Sequence, residues 1–442
     1  MKKEQIQDLM NLLVDEWVEE DNKEPRDKIR YSGPCFGKEE YRAAIAALFG
    51  GWWCGGSFTL LAEAKLAEIS RRNHALLVNS GSSANLVGIT ALKEEGYLKD
   101  GDRVLSLSCG FPTTINPLIQ NNLIPVLVDM DKELGLDPEV LEECIKKKDI
   151  KGVFYAHTLG FPGRIDDILD VCRKYDIVCA FDCCDAYGST YRGKPLQEYG
   201  KFATFSFYPA HHVSAGGHGG GIVTNDPDFH TTSRGIARWG RYCSSNQCCI
   251  RSMSNGKDLF CPTQKLTNNC GLPKDQPVAY QFEWMGYNLQ INEIQAAILH
   301  EQLLKLPSFD NIRRNNYSIL YEYFAANWSE CEILPITNEI SPFSFFFVIP
   351  EGIQRNHLIN HLKQDKIEAK VLFGGMIQNH PAYTSLVHNG ELKTKVVEEF
   401  GIFEQSKKVM ERGLMLGVSQ VLDETHMYKI CESLERFKKC QN

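Results

Sequence analysis

The stretch Ser206-Phe207-Tyr208-Pro209-Ala210-His211-His212 begins at the end of a short β-rich run and continues into a loop. Several such runs lie between about residues 75 and 225, and helical stretches alternate with them. This alternation predicts an α/β fold in which a mainly parallel sheet carries helices on both faces. The predicted strands are 75–78, 103–107, 124–128, 153–156, 177–181, 203–207 and 221–224.

Outside this region the pattern predicts two further parts. Residues 1–45 form a polar arm with one helical segment at about 6–18. A helix rich in Ile, Ala and Leu is expected from about 288 to 306. A strand-like run at 343–349 then indicates a smaller α+β domain. The expected division is an arm at 1–45, a large domain at 46–310 and a small domain at 311–442.

Composition narrows the class of protein. The chain has 442 residues, 24% charged and 43% hydrophobic, which is typical of a globular protein. Its net charge of -8 argues against nucleic acid or a membrane surface as the main partner. The N-terminus has no apolar signal region, and no uninterrupted apolar run of about 18 residues occurs. A cytoplasmic location is therefore expected.

Three groups of residues are expected where parallel strands end, the place where ligands bind in open sheets. Gly81-Ser82-Ser83 follows a predicted strand and opens a helix expected to start near Asn85. Its free N–H groups suit a phosphate, although an ordinary helix cap is an alternative. Asp182 ends another strand, where a buried carboxylate needs a positive partner such as a protonated pyridine nitrogen. Ser206 ends the next strand and can add a phosphate contact.

Phe111 and His211 complete the expected site. Phe111 lies on a loop after the 103–107 strand and can cover a flat ring, or be an aromatic residue of the core. His211 occupies the place where an enzyme that uses vitamin B6 is expected to hold its Schiff-base lysine. The alternative for His211 is a structural histidine beside His212.

In this order, the segments resemble the 3-dehydrases of nucleotide-activated 4-keto-6-deoxyhexoses, which belong to the DegT-type sugar aminotransferase family. The resemblance covers about residues 50–305 and is carried by 80–86, 110–114, 156–160, 182–190, 206–212 and 286–289. It implies the fold type I aspartate-aminotransferase architecture and a homodimer. It also implies that Gly81, Ser82 and Ser206 bind the cofactor phosphate, Asp182 its ring nitrogen, Phe111 its face, and Asn288 the phosphate of the neighbouring subunit.

The histidine in the lysine position predicts a particular chemistry. A histidine cannot form the covalent link of a lysine, so the enzyme is expected to hold pyridoxamine phosphate without one. An imidazole is a suitable base at neutral pH. The predicted reaction is therefore C3 dehydration of a nucleotide-linked 4-keto-6-deoxyhexose, toward 3,6-dideoxysugars.

The cysteines suggest a second cofactor. Cys184 and Cys243 match the first two ligands of the family branch that carries a [2Fe-2S] cluster and takes electrons from an NAD(P)H-dependent flavin, iron-sulfur reductase. Four thiolates are the usual requirement for such a cluster. Alternatives are a zinc site, unligated thiols, a cluster-free glutamate-dependent dehydratase, or a metal-stabilised relative without catalysis. Two places are open to Cys248, Cys249, Cys261 and Cys270, and Cys249 and Cys261 are assigned to them.

Two stretches depart from the family pattern. His218 stands where the family has an acidic residue before paired glycines. Residues 370–376 begin with Lys370, where the family typically has an Arg. Both lie on the side where the family meets its substrate, so the nucleotide and the sugar stay open.

Overall fold

The computed structural model describes residues 3–21, 28–241, 280–388, 391–394 and 396–441. Its strands, in chain order, are β1 (His74–Val78), β2 (Arg103–Leu107), β3 (Ile124–Val128), β4 (Ile150–Ala156), β5 (Val178–Asp182), β6 (Thr190–Tyr191), β7 (Lys194–Pro195), β8 (Phe202–Ser206), β9 (Gly220–Thr224), β10 (Glu332–Ile333), β11 (Phe345–Val348), β12 (Ala369–Lys370), β13 (Ser385–His388), β14 (Glu391–Thr394), β15 (Glu398–Glu399) and β16 (Gly413–Leu416). None of the helices in these ranges is long and apolar enough to cross a bilayer.

The helices surround these strands. In chain order they are α1 (Lys3–Asp21), α2 (Lys38–Phe49), α3 (Ser57–Ile69), α4 (Gly81–Glu94), α5 (Pro112–Gln120), α6 (Pro138–Lys148), α7 (Ile165–Lys174), α8 (Pro227–Ile236), α9 (Glu293–Asn327), α10 (Arg355–Gln364), α11 (Pro381–Thr384), α12 (Glu404–Arg412) and α13 (Glu424–Gln441).

An eight-stranded sheet forms the centre of the molecule. Its strand order is β1-β9-β8-β5-β4-β2-β3-β15, and only β9 runs antiparallel to its neighbours. Four of the five residues of β3 are buried, as expected for a parallel strand covered on both faces. Each of the seven predicted strands is confirmed, with ends that differ by at most three residues.

Helix α4 begins earlier than the sequence indicates. The expected start lay near Asn85, but the helix begins at Gly81. The reason is Ser80, whose side-chain oxygen accepts a hydrogen bond from the N–H of Ser83 at 3.1 Å. The Gly-Ser-Ser turn is thus the first turn of the helix, and its N–H groups are at the end of the dipole that favours an anion.

Helix α9 is longer than the predicted 288–306. It begins at Glu293, where Asn292 caps it by accepting from the N–H of Gln295, and it continues through Pro307 to Asn327. Its buried apolar residues pack against α2 and α3, so tertiary contacts sustain the helix across the proline. Because α9 crosses position 310, the division of the chain into an arm, a large and a small domain stays a proposal.

A second sheet, of order β10-β11-β16-β12, is antiparallel throughout. The predicted strand at 343–349 is β11, buried at all four positions. Ile29 of the N-terminal arm pairs with Ile367 just before β12. The arm, the second sheet and the carboxyl ends of central strands thereby meet around one cavity.

Candidate active site

The cavity has a volume of about 520 Å³. It lies at the carboxyl ends of β4, β5 and β8, and Phe343 and Met415 close it from the side of the second sheet. Most of the predicted site residues line it. These are Gly81, Ser82, Phe111, Asp182, Cys184, Ser206 and His211.

Gly81, Ser82 and Ser206 form one end of the cavity. A methyl group at Gly81 would lie 2.6 Å from the Cβ of Ser206 and 3.1 Å from the Sγ of Cys184. Only glycine therefore lets the start of α4 approach the end of β8 this closely. Two hydroxyl groups and the N-terminal N–H groups of α4 meet there, which fits a phosphate.

Asp182 forms the floor of the cavity together with two donors. Its carboxyl group is buried, and Oδ2 accepts hydrogen bonds from Nδ2 of Asn85 at 2.7 Å and from Oγ1 of Thr114 at 2.8 Å. Oδ1 accepts from the N–H of Cys184 at 3.0 Å. These three bonds hold the carboxyl group in place, and a protonated ring nitrogen in the cavity would find an acceptor there.

Phe111 belongs to the rim of the cavity, which it shares with Tyr208, His218 and Lys370. Its side chain is 55% exposed and meets Phe373 edge-on at 6.3 Å. The structure therefore places Phe111 on the cavity surface rather than in the core. Tyr208 makes a similar edge-on contact with His218 at 5.6 Å between ring centroids.

The two histidines of the pair face different surroundings. The side chain of His211 is 17% exposed and lines the cavity, packed against the ring of Phe343 at 5.4 Å. Burial and the charge of Arg313 lower the pKa of His211 to about 3, so the imidazole is neutral. Its buried Nδ1 has no hydrogen-bond partner among the described residues, which leaves Nε2 as the nitrogen that can reach a ligand.

His212 points the other way. It is fully buried, and its Nε2 donates to the backbone oxygen of Ser341 at 3.1 Å. The carbonyl oxygen of His212 accepts from Gln420, and that of His211 accepts from the guanidinium of Arg313. His212 is thus the structural histidine of the pair, and the backbone bonds hold His211 at the cavity wall.

Asp185 is a cavity residue to which the sequence analysis gave no role. Its Oδ1 lies 4.0 Å from Nδ1 of His211. Burial, and then the charge of Asp182, raise the pKa of Asp185 to about 8, so the carboxyl holds a proton at neutral pH. The signal was present in the string Asp182-Cys183-Cys184-Asp185, since a turn after a buried strand returns the last residue to the same edge.

Three other lining residues come from parts of the chain that sequence reasoning could not bring together. Tyr31 reaches the cavity from the arm, Lys370 from β12, and Thr114 from α5. Lys370 pairs with Oε1 of Glu368 at 2.8 Å. Asn288 does not line the cavity of its own chain; it is exposed and pairs with Arg238 in a β-bridge.

Cys184 is the only proposed metal ligand inside the described ranges. Cys243, Cys249 and Cys261, and the competing Cys248 and Cys270, lie in 242–279, outside the described residues. Burial, and then Asp182, raise the pKa of the Cys184 thiol. Within the ranges that the structure describes, no three His, Cys, Asp or Glu side chains are grouped to hold a metal.

Comparison with known proteins places the chain in a family. Residues 34–435 match the model of the DegT/DnrJ/EryC1/StrS aminotransferase family. The chain belongs to this family. The match extends beyond both ends of the 50–305 segment that carried the resemblance, and helix α1 precedes it.

Named relatives are similar over nearly the whole chain. The lipopolysaccharide biosynthesis protein RfbH of Salmonella typhimurium is 32% identical over 92% of this chain and 91% of its own. The dTDP-4-dehydro-2,6-dideoxy-D-glucose 3-dehydratase of Saccharopolyspora spinosa is 31% identical over 92% and 86%.

A solved structure confirms the fold class. A variant of GDP-4-keto-6-deoxymannose-3-dehydratase (ColD) with bound GDP-perosamine superposes with a TM-score of 0.79, at 25% identity, over 92% of this chain and 100% of that one. The fold is therefore the expected fold type I architecture of aminotransferases that use pyridoxal phosphate.

Proposed function

We propose that the protein removes the C3 hydroxyl of a nucleotide-linked 4-keto-6-deoxyhexose, with pyridoxamine 5'-phosphate as its cofactor. The observation that carries the proposal is the neutral imidazole of His211 at the cavity wall. Relatives at 29–31% identity are named as 3-dehydratases of such sugars, which supports the same assignment.

The described residues fit pyridoxamine phosphate. Gly81, Ser82 and Ser206 suit the phosphate, Asp182 suits the ring nitrogen, and Phe111 can cover the ring face. When bound, this cofactor supplies an amino group for the sugar's 4-keto carbon and an aromatic electron sink. Asn288 is left for a second subunit.

His211 is the proposed base. Because it is neutral, its Nε2 can take the proton next to the cofactor's amino group, and can then give a proton to the hydroxyl that leaves C3 as water. Asp185 holds a proton beside Nδ1 at 4.0 Å. The C3–O bond would break with release of water, and hydrolysis of the C4–N bond would restore the sugar's keto group.

The family also contains aminotransferases, so amine transfer is the second candidate. That reaction uses a lysine at the cofactor, and Lys370 is the one lysine that lines the cavity in the described part of the chain. Lys370 belongs to the rim, is half exposed and is paired with Glu368. This arrangement favours dehydration.

The test replaces His211 with Asn in the full-length protein. Pyridoxamine phosphate should still bind, because its contacts are intact, while loss of water from C3 should fall by about 10²-fold or more. His211→Lys should instead give a visible absorption band with pyridoxal phosphate. Normal turnover by His211→Asn would rule out the base, and failure of the wild type to bind the cofactor would favour a relative without catalysis.

We propose in addition that the reaction is reductive, with a [2Fe-2S] cluster held by Cys184, Cys243, Cys249 and Cys261 and a flavin, iron-sulfur reductase as partner. Support comes from Cys184, which lines the cavity beside Asp182. Four cysteine thiolates are the usual ligands of such a cluster. A cluster would bring one-electron chemistry near the substrate. The cluster-free, glutamate-dependent reaction is the alternative.

Iron and zinc analysis of anaerobically purified protein tests this addition. Cys184→Ser should lose iron and absorption beyond about 400 nm, while Cys183→Ser, whose thiol is buried in the core, should keep both. Turnover of a colourless protein that needs only glutamate would select the cluster-free reaction. Zinc in place of iron would indicate a structural metal site and would rule out the cluster.

We further propose a homodimer in which Asn288 completes the partner's site. Asn288 is exposed, and so is Met285 three residues before it, at 94%. The carbonyl oxygen of Trp53 accepts a hydrogen bond from the N–H of Glu293, the first residue of α9. Exposed Trp52 and Trp53 add an apolar surface of the kind that marks interfaces. Mixing inactive His211→Asn and Asn288→Ala proteins should recover activity, and an active monomer in sedimentation would contradict the dimer.

A further inference from the structure

Asp182 is held by side chains from two helices that also contribute to other parts of the cavity. Asn85 lies on α4, whose first turn forms the phosphate end, and Thr114 lies on α5, which begins just after Phe111. Both donors bind the same oxygen, Oδ2, at 2.7 and 2.8 Å. Hydrogen bonds therefore connect Asp182 to the helix that forms the phosphate end and to the helix that follows Phe111.

The orientation of Asn85 is itself fixed. Its Nδ2 donates to Asp182 and to the backbone oxygen of Thr113 at 3.0 Å, and both of these groups can only accept. Its Oδ1 accepts from the hydroxyl of Thr204 at 2.5 Å. Asn85, Thr114 and Thr204 are all buried, so water does not compete for these bonds.

The pattern of bonds distinguishes the two oxygens of Asp182. A carboxylate offers about four acceptor positions, two on each oxygen. Two donors fill those of Oδ2, whereas in the described part of the chain Oδ1 accepts one backbone hydrogen bond, from the N–H of Cys184. The only other donor to this carboxyl group among the described residues is the weakly donating thiol of Cys184. Oδ1 therefore keeps a position for a donor in the cavity.

We infer that Asn85 and Thr114 are positioning residues that hold Asp182 with Oδ1 toward the cofactor's ring nitrogen. This inference rests on the proposed function, since it requires pyridoxamine phosphate in the cavity. Asn85 does not line the cavity, whereas Thr114 does. Both act through Asp182, because a carboxylate free to rotate would hold the ring proton less firmly.

The experiment measures the ring nitrogen directly. Pyridoxamine phosphate labelled with ¹⁵N in the ring is bound to the full-length protein, and its ¹⁵N resonance is followed together with the dissociation constant. Asn85→Leu and Thr114→Val should move the resonance toward the unprotonated form and weaken binding about tenfold or more, because each removes a hydrogen bond to a charged group.

Thr90→Val is the matched control. Thr90 is buried on the same helix as Asn85, but its hydroxyl donates to the backbone oxygen of Leu86 at 2.7 Å. It should change neither reading. If the wild type binds the cofactor with a protonated ring and both floor variants keep that resonance, the inference is wrong. If the wild-type protein does not bind pyridoxamine phosphate at all, both the proposed function and this inference are wrong.

Discussion

The floor and the rim of the cavity differ in how their side chains are held. On the floor, Asp182 and Asn85 are buried, and each takes part in at least three hydrogen bonds. On the rim, Phe111 and Tyr208 are exposed, and they make edge-on ring contacts. A fixed floor suits a constant cofactor, whereas a loosely held rim can differ between relatives with different sugars and nucleotides.

The largest expected effect comes from the floor. Asp182→Asn should weaken pyridoxamine phosphate binding by more than about 100-fold, because breaking a buried charge pair costs about 3 kcal/mol or more. Calorimetric titration of the full-length protein measures this. Asp310→Asn is the control, since Asp310 is equally buried but bonds to Ser341 outside the cavity. Equal losses in both variants would mean that the floor has no special role.

Lys370 should give a smaller effect, confined to the substrate. It is the one lysine among the described lining residues, and a nucleotide diphosphate needs a cation. We expect Lys370→Met to raise KM about tenfold with kcat nearly unchanged, which corresponds to about 1.4 kcal/mol of binding. Lys408→Met removes a paired lysine outside the cavity and should change neither constant. A fall in kcat alone would place Lys370 in the chemistry.

Acid should act on stability through four histidines whose pKa values are lowered in the folded protein. A histidine with a lowered pKa in the folded state favours folding above its unfolded pKa of about 6.5, and this contribution is lost as the pH falls toward the folded value. Two carboxyl groups with raised pKa values act in the opposite direction, the half-buried Asp185 at about 8 and the buried Asp310 at about 6. The histidines are His157, His211 and His230, with pKa values of about 3, and His212, whose pKa is also lowered.

The four histidines outweigh the two carboxyl groups, because the unfolded chain takes up more protons than the folded protein as the pH falls from 7 to 5. The free energy of unfolding should therefore fall over this range. His157 tests this, because it lies behind the floor, where its ring packs against Tyr155 and Phe181. Its backbone N–H donates to the carbonyl oxygen of Asp182. His157→Phe should lower the pH slope by up to about 1.4 kcal/mol per pH unit. Urea unfolding at several pH values measures the slope, and an unchanged slope would contradict the assignment.

The smallest expected effect is at Phe111 on the rim. Phe111→Leu keeps an apolar side chain but removes the aromatic face, which is worth about 0.5–1.5 kcal/mol, so cofactor affinity should fall by about two- to tenfold. Phe403→Leu, an aromatic residue packed outside the cavity, is the control. A loss as large as that of Asp182→Asn would erase the difference between floor and rim.

Much of the site could be predicted from the sequence because the carboxyl ends of parallel strands lie at one edge of the sheet. Asp182 and Ser206 each follow a run of apolar residues, and this alone predicts that they lie close together. The start of α4 was misplaced by four residues because the cap at Ser80 was not given weight. Asp185 received no role although the Asp182-Cys183-Cys184-Asp185 string carried a signal for it, and Lys370 was noted only as a departure from the family pattern.

The sequence by itself determined the order of the central strands' apolar runs, the position of the Gly-Ser-Ser turn and the replacement of the expected lysine by His211. The first two depend on neighbouring residues and on the period of the side chains, which are local properties, and the third depends on the resemblance of the ordered motifs to the family. Only the tertiary structure decided that His211 faces the cavity while His212 faces the core, and that Asn85, Thr114 and Thr204 fix Asp182. Those residues come from four elements far apart in the chain, and the bonds exist only once burial has removed the competing water.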